Sequence, residues 1–114
     1  MSADHSAVAS LDSTRLPVGL NVDRYITSVN KSYTERYDEF KKEDSGLFAT
    51  NMNSEARWAL YTFKDGEKST KQVTYYIFNT ENRHLYILSC NAIPEKFDSN
   101  RDIFDSIARS ISKL

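Results

Sequence analysis

Residues 72–114 read QVTYYIFNTENRHLYILSCNAIPEKFDSNRDIFDSIARSISKL and carry the clearest structural pattern in the chain. Residues 73–78 and 85–92 have the composition and alternation of two strands, with a polar turn at 80–83 between them. Pro94 ends the second strand because proline cannot donate to a strand ladder. The segment therefore predicts an antiparallel strand pair that leads directly into a terminal helix.

The terminal helix is predicted from apolar residues at helical spacing. Ser99 is the expected N-cap, with Asp102 three residues later as its partner in a capping box. Asp105 and Arg109 stand four residues apart in the order that favours an ion pair. The apolar positions of this helix are Phe97, Ile103, Phe104, Ile107, Ala108, Ile111 and Leu114.

The N-terminal part of the chain predicts a short strand and a second helix. Residues 1–6 are small and polar and are expected to form a flexible tail, and residues 7–11 (AVASL) predict a strand. Asn21 is placed as the N-cap of a helix whose apolar stripe continues to Phe40. The stripe consists of Val22, Tyr25, Ile26, Val29, Tyr33, Tyr37 and Phe40.

Two further strands are predicted in the middle of the chain, at residues 46–50 and 56–63. Asp65-Gly66 is a hairpin signal, although the polar residues that follow fit a longer loop or a polar strand start equally well. The predicted order is β-α-β-β-β-β-α, in one α+β domain that spans residues 7–114. Because strands joined by short turns pair antiparallel, we expect an antiparallel sheet with two helices on one face.

Composition restricts the class of protein. The 114 residues are 39% apolar, and 15 basic and 16 acidic side chains leave a net charge of −1 without a long block of either sign. Such a chain can bury one core and has no pattern for binding a polyanion. It contains neither a signal-peptide pattern nor an apolar run of membrane-helix length. We expect a cytoplasmic protein if the chain is complete, and a periplasmic or lipid-anchored one if an export signal was removed.

The residues that usually carry catalysis or bind metals are poorly placed for either role. If Cys90 and His84 lie on one continuous strand, their six-residue separation is about 20 Å in an extended chain, which is too far for a nucleophile and its base. One cysteine and two separated histidines do not predict a zinc site. The three glycines lie too far apart for a phosphate-binding loop. We therefore expect no catalytic residue, metal site or cofactor.

Aromatic residues crowd three neighbouring strands and suggest a partly apolar second face of the sheet. An RNA-binding sheet is disfavoured because the helix order differs from that of an RNA recognition motif and a basic stripe is missing, so no nucleic-acid partner is expected. Two alternatives remain open: a face that binds a partner or a small ligand, or tyrosines that simply suit half-buried strands. The candidate partner-binding residues are Arg57, Tyr61, Phe63, Tyr75 and Tyr86.

The segment from about residue 20 to residue 113 resembles the superfamily that contains PsbP, the bacterial DcrB-like lipoproteins and the Ran-binding Mog protein. The shared motifs are apolar core positions and a proline hinge, so the resemblance implies a fold and carries over no catalytic or ligand residue. The DcrB-like lipoprotein branch is the expected relative, although no lipobox cysteine precedes the domain. The resembling segments are GLNVDRYI, ARWALYTF, QVTYYIF, HLYILSCNA, PEKFD and FDSIARSI.

Members of this superfamily usually begin with a further strand and a Pro-x-x-Trp-like turn, and this chain resembles a shortened member. We therefore expect a sheet edge or face that relatives cover themselves, and a homodimer formed through it. The expected function is that of a non-enzymatic accessory or protein-binding module. The alternative is a small-molecule or lipid carrier with a pocket between the helices and the sheet.

Overall fold

The structure, a computed structural model, describes residues 7–47 and 54–112. The predicted tail at residues 1–6 and part of the predicted strand at 46–50 lie outside the described residues, as does most of the sequence NMNS at 51–54, whose asparagines predict a break after that strand. The element order β-α-β-β-β-β-α is confirmed. The elements are β1 (Ala7–Arg15), α1 (Val22–Arg36), β2 (Asp38–Leu47), β3 (Ser54–Asp65), β4 (Lys68–Asn79), β5 (His84–Ala92) and α2 (Pro94–Ser112).

The five described strands form one antiparallel sheet in the spatial order β1-β5-β4-β3-β2. The hairpin predicted at Asp65-Gly66 is confirmed, because Asp65 pairs with Lys68 across a two-residue turn. Gly66 takes a φ of +68° at the first turn position, where a side chain would be strained. β1 and β2 consequently lie at the two edges of the sheet.

The two helices cover opposite faces of the sheet, so the prediction that both lie on one face is wrong. Tyr75 packs in a cluster with Phe97 and Phe104 of α2. Its neighbour Tyr76 belongs to a second cluster, with Val22 of α1. Because successive side chains of a strand point to opposite faces, these adjacent tyrosines identify two separate cores. The sheet has no open face for a partner over its central strands.

α1 is shorter than its apolar stripe predicts. Asn21 caps it as expected, with its side-chain oxygen accepting the Arg24 N–H at 2.8 Å. The helix ends at Arg36, and the chain becomes extended from Tyr37 onward. Tyr37 and Phe40 nevertheless pack in the cluster beneath α1. Tyr37 reaches this cluster from the C-cap of α1, and Phe40 reaches it from β2.

α2 begins six residues earlier than the capping pattern predicts, since an N-cap at Ser99 would make residue 100 the first helical residue. Pro94 is its first residue, and the fixed φ of proline suits that position. Ser99 lies inside the helix, where its hydroxyl donates to the Lys96 carbonyl at 2.9 Å, so the predicted capping box with Asp102 is wrong. Asp105 forms an ion pair with Arg101 at 3.6 Å. Neither helix of the described residues is long and apolar enough to cross a membrane.

Arg83, in the turn between β4 and β5, forms hydrogen bonds with the loop that follows β1. Its guanidinium donates to the carbonyls of Leu16, Pro17 and Leu20 at 3.1, 2.9 and 2.8 Å. The Leu16 N–H returns a bond to the Arg83 carbonyl at 2.9 Å. The guanidinium also lies over the Phe78 ring. These contacts position the end of β1 relative to the rest of the sheet.

Candidate functional site

Tyr61 and Phe63, two of the predicted partner-binding residues, are core residues beneath α1. Tyr61 is completely buried and donates a hydrogen bond of 2.6 Å to the Asn30 side chain. The Tyr76 hydroxyl lies 3.2 Å from the Tyr61 hydroxyl. Phe63 is 7% exposed and stacks on Tyr37, with 4.4 Å between ring centroids. A partner could reach Tyr61 or Phe63 only if α1 moved away from the sheet.

Tyr75 is buried beneath the other helix. Its hydroxyl donates to the Asp105 carboxylate on α2. Asp105 is also paired with Arg101, whose guanidinium lies over the Trp58 ring at 5.4 Å. The geometry makes Tyr75 a brace between β4 and α2, and not a surface contact.

Arg57 and Tyr86 are half-buried and remain accessible, but they lie on opposite faces. Arg57 reaches α1, where its Nε atom is 3.4 Å from the Asp23 carboxylate. Tyr86 packs at the margin of the α2 cluster and stacks on His84 at 6.2 Å. The five predicted residues therefore do not form one surface.

The buried ionisable groups stay protonated near neutral pH. Burial raises the pKa of Tyr61 to about 12, and it raises the pKa of the Cys90 thiol to about 12 as well. Burial also raises the pKa of Tyr75 and Tyr76 far above their ordinary value. A protonated thiol with no exposed surface is a poor nucleophile. Within residues 7–47 and 54–112, no group of His, Cys, Asp or Glu side chains is arranged to hold a metal ion.

Two of the grooves beside the helices in the described part of the chain bear on a binding role. One, of about 330 Å³, lies between α1 and strands β2 and β3, and its wall contains Arg57, Lys42 and Asn30. The other, of about 400 Å³, lies between β1 and α2. Its lining is mainly apolar, and Ile103 on its rim is 45% exposed. The lining of this second groove is Ala7, Val8, Ala9, Asn100, Ile103, Phe104 and Ile107.

β1 is an edge strand without the usual protection against pairing. All nine residues pair with β5 in one continuous register, from Ala7 opposite Ala92 to Arg15 opposite His84. Residues 7–11 contain no charge and no proline. Val8 is 55% exposed on the α1 face and Leu11 is 50% exposed on the α2 face. A straight, partly apolar edge of this kind is a template for another strand.

β2, the opposite edge, is protected twice over. Its register with β3 shifts between Asp38 and Lys41 and again between Lys42 and Asp44. Charged residues occupy most of its length, and Glu39 pairs with Lys64 at 3.1 Å. Bulges and charges both prevent strand addition. The accessible pairing site of the described sheet is therefore β1, which the sequence revealed only as the short predicted strand at 7–11.

Two solved structures have the same arrangement of sheet and helices. PA94, a Pseudomonas aeruginosa protein of unknown function and candidate regulator, superposes with a TM-score of 0.76 over 95% of this chain and 71% of its own, at 9% identity. CyanoP, the cyanobacterial PsbP of Synechocystis sp. PCC 6803, superposes with a TM-score of 0.66 over 90% of this chain, at 11% identity. The fold is PsbP-like. No family model and no curated protein sequence matches the chain.

The PsbP-like assignment concerns the fold alone, since identities of 9% and 11% carry no residue role from one chain to another. The chain spans 65% of the length of CyanoP. The candidate site is consequently defined by this chain's own geometry, at the edge of β1 and the groove beside α2.

Proposed function

We propose that this protein is a non-enzymatic accessory module that binds another protein by strand addition at the edge of β1. The observation that carries the proposal is the contrast between the two edges: β1 has a regular nine-residue register and no charge over residues 7–11, whereas β2 is bulged and highly charged. An extended segment of a partner would pair with the free backbone groups of β1. Main-chain hydrogen bonds would supply affinity, and Val8 and Leu11 would select side chains on the two faces.

Two further observations support a binding role over a catalytic one. The buried thiol and tyrosines have pKa values raised away from the range useful at neutral pH. Neither structural neighbour is described as an enzyme. Arg57 and Tyr86, the accessible members of the predicted contact set, stay predictions and are secondary to β1.

The proposal is tested by a matched pair of lysine substitutions, one on each edge of the sheet. Leu11→Lys places a charge on the β1 edge, and Leu47→Lys makes the same change at a position of β2 that is 76% exposed. Each variant and the parent protein are immobilised, and bound proteins from an extract of the source cells are quantified by mass spectrometry. We expect Leu11→Lys to lose partners that Leu47→Lys retains.

Hydrogen exchange provides the structural control for that experiment. A partner that adds a strand should slow amide exchange in residues 7–15 and leave β2 unchanged. Equal capture by all three proteins, or protection at β2 with none at β1, would refute strand addition at β1. Arg57→Ala and Tyr86→Ala are included to test whether those two side chains contribute.

A small-molecule or lipid carrier is the second candidate, favoured by the groove between α1 and β3. Its volume of about 330 Å³ reaches the lower end of the usual range for ligand pockets. Lys42 could bind an anionic group, together with Arg57 if the ligand displaced Asp23 from its ion pair with Arg57. A carrier would show a rise in melting temperature with fatty acids or anionic metabolites that Arg57→Ala abolishes. A groove ligand should leave the Leu11→Lys variant unaffected, which separates the two candidates.

Membership of the DcrB-like branch and a lipid-anchored, extracytoplasmic location are finer proposals that rest on the sequence resemblance. The coding sequence upstream of Met1 tests both. A signal peptide followed by a lipobox cysteine would support them, and an upstream stop codon would contradict them.

A further inference from the structure

We infer that the strand that pairs with β1 is β1 of a second copy of this chain. A two-fold axis that passes midway between the two Leu11 residues would relate the copies. This inference rests on the proposed function and names its partner. The axis would stand perpendicular to the sheet, so the two five-stranded sheets would join into one. Each copy would keep α1 on one common face and α2 on the other.

The geometry of antiparallel strands limits the possible registers. Residues directly opposite each other in an antiparallel pair point to the same face of the sheet. Two identical strands related by a two-fold axis perpendicular to the sheet therefore pair only in registers where one residue lies opposite its own copy across the axis. Leu11 is the midpoint of Ala7–Arg15, so an axis through it uses the whole described strand. An axis through Asp12 would place two carboxylates opposite each other, which is unfavourable.

The register through Leu11 is self-complementary. The two exposed Leu11 side chains would meet at the axis on the α2 face. On the α1 face, Val8 would lie opposite Thr14 of the second copy, a pair of β-branched residues that suits antiparallel strands. Ser10 would lie opposite Asp12, and Ala7 opposite Arg15 of the second copy. No like charges face each other, and each of these pairs occurs twice except the Leu11 pair at the axis.

The opposite edge explains why the assembly would stop at two copies. β2 carries its bulges and charges over residues 38–44, which leaves only residues 45–47 regular and uncharged, too short a stretch for a second pairing site like β1. Pairing through β1 alone is isologous and consumes the same edge in both copies. The predicted product is a closed dimer and not a filament.

The test begins with the mass of the full chain in solution, measured by sedimentation equilibrium from low to high micromolar concentration. We expect the parent protein to reach twice the chain mass of 13.1 kDa. Leu11→Lys would place two lysines together on the axis and weaken the dimer by about tenfold or more, equivalent to about 1.4 kcal/mol. Leu47→Lys, on the other edge, should dimerise as the parent does.

The register itself is tested at Ser10, whose side chain is exposed. Ser10→Lys would face Asp12 of the second copy at two places and should strengthen the dimer several-fold, whereas Ser10→Asp should weaken it. In a register with Ser10 on the axis, both variants would be weaker than the parent. That result, or a dimer insensitive to Leu11→Lys, would overturn the inference.

A parent protein that stays monomeric at high micromolar concentration would also overturn the inference. If Leu11→Lys still lost captured partners in that case, strand addition by a different protein would stand. If capture were unchanged as well, both the inference and the proposed function would fail. The two experiments together therefore distinguish a wrong partner from a wrong surface.

Discussion

The two halves of the molecule solve the problem of an exposed sheet edge differently. On one side, α1 packs against β2 over a cluster of stacked aromatic rings, and the edge strand is bulged and charged. On the other, α2 packs over an apolar cluster that reaches Ala7, and the edge strand β1 is straight and half apolar. Bulges and a dense row of charges therefore disfavour strand addition at β2, and β1 lacks them. This difference is the one expected if β1 binds a partner.

The largest effect on stability is expected from a substitution where α2 packs next to β1. Phe104 is 2% exposed and lines the groove next to β1, whereas its neighbour Ile103 is 45% exposed on the rim. Phe104→Ala should lower the free energy of unfolding by about 3–5 kcal/mol because it leaves a cavity. Ile103→Ala, the matched control, should cost about 1 kcal/mol or less. Urea denaturation measures both.

Equal losses for the two variants would show that α2 does not support β1 through a buried face. Phe104→Ala could also lower the free energy of unfolding strongly and leave amide exchange in β1 unchanged. That result would show that the stability of β1 does not depend on the packing of α2. Either result would weaken the view that the β1 half acts as a unit.

A second effect, expected at alkaline pH, sharpens the description of the α1–β2 half. Burial raises the pKa of Tyr61 from 10.0 to about 12. The folded state therefore holds this proton more tightly than the unfolded state. The stabilisation is fully present below about pH 10 and is lost as the pH rises through 12, by up to about 1.4 kcal/mol per pH unit.

Tyr61→Phe removes this titration at the cost of two hydrogen bonds. The variant should be less stable than the parent near neutral pH, and its stability should fall less steeply above pH 10. Urea unfolding across this pH range gives the slopes. Parallel slopes for the two proteins would contradict the assignment of the alkaline loss to Tyr61.

The smallest effect is expected in the bulge that protects β2. Glu39 has a φ of +53°, a left-handed conformation that costs about 1 kcal/mol for a residue with a side chain. Glu39→Gly should therefore be more stable than Glu39→Ala by about 1 kcal/mol, although both lose the ion pair with Lys64. Thermal or urea unfolding of the two variants measures the difference. Equal stability would mean that the bulge is not strained at this residue.

Much of the sheet could be predicted from local pattern. Alternation located β3, β4 and β5, and Asp65-Gly66 located the β3–β4 turn, because these signals depend on neighbouring residues alone. The end of α1 could not be located in this way. Tyr37 and Phe40 continue the helical spacing by coincidence and reach the same cluster from an extended chain.

The sequence of β4 indicates that helices lie on both faces of the sheet. β4 contains the nearly continuous apolar run VTYYIF, and such a run is typical of a strand buried on both faces. Both faces therefore needed a cover, and two helices on one face could not provide it. For the same reason, Tyr61 and Tyr75 are buried beneath the helices and are not the surface contacts that the sequence analysis predicts.

The importance of β1 could not be predicted from its own residues. AVASL fits a strand in any position, and only its place beside β5, at the border of the sheet, leaves Val8 and Leu11 exposed. That position is a property of the whole topology. Similarly, no local pattern relates Arg83 to the carbonyls of Leu16 and Leu20, which lie far away in the sequence.

The pairing of β1 with β5 also has a consequence for biosynthesis. Ala7 pairs with Ala92, and Arg15 pairs with His84, so the ladder joins the first described strand to the last one. During translation β1 leaves the ribosome long before β5 exists, and contacts so distant in sequence form slowly. For that interval the nascent strand lacks its partner strand and can pair with strands of other chains.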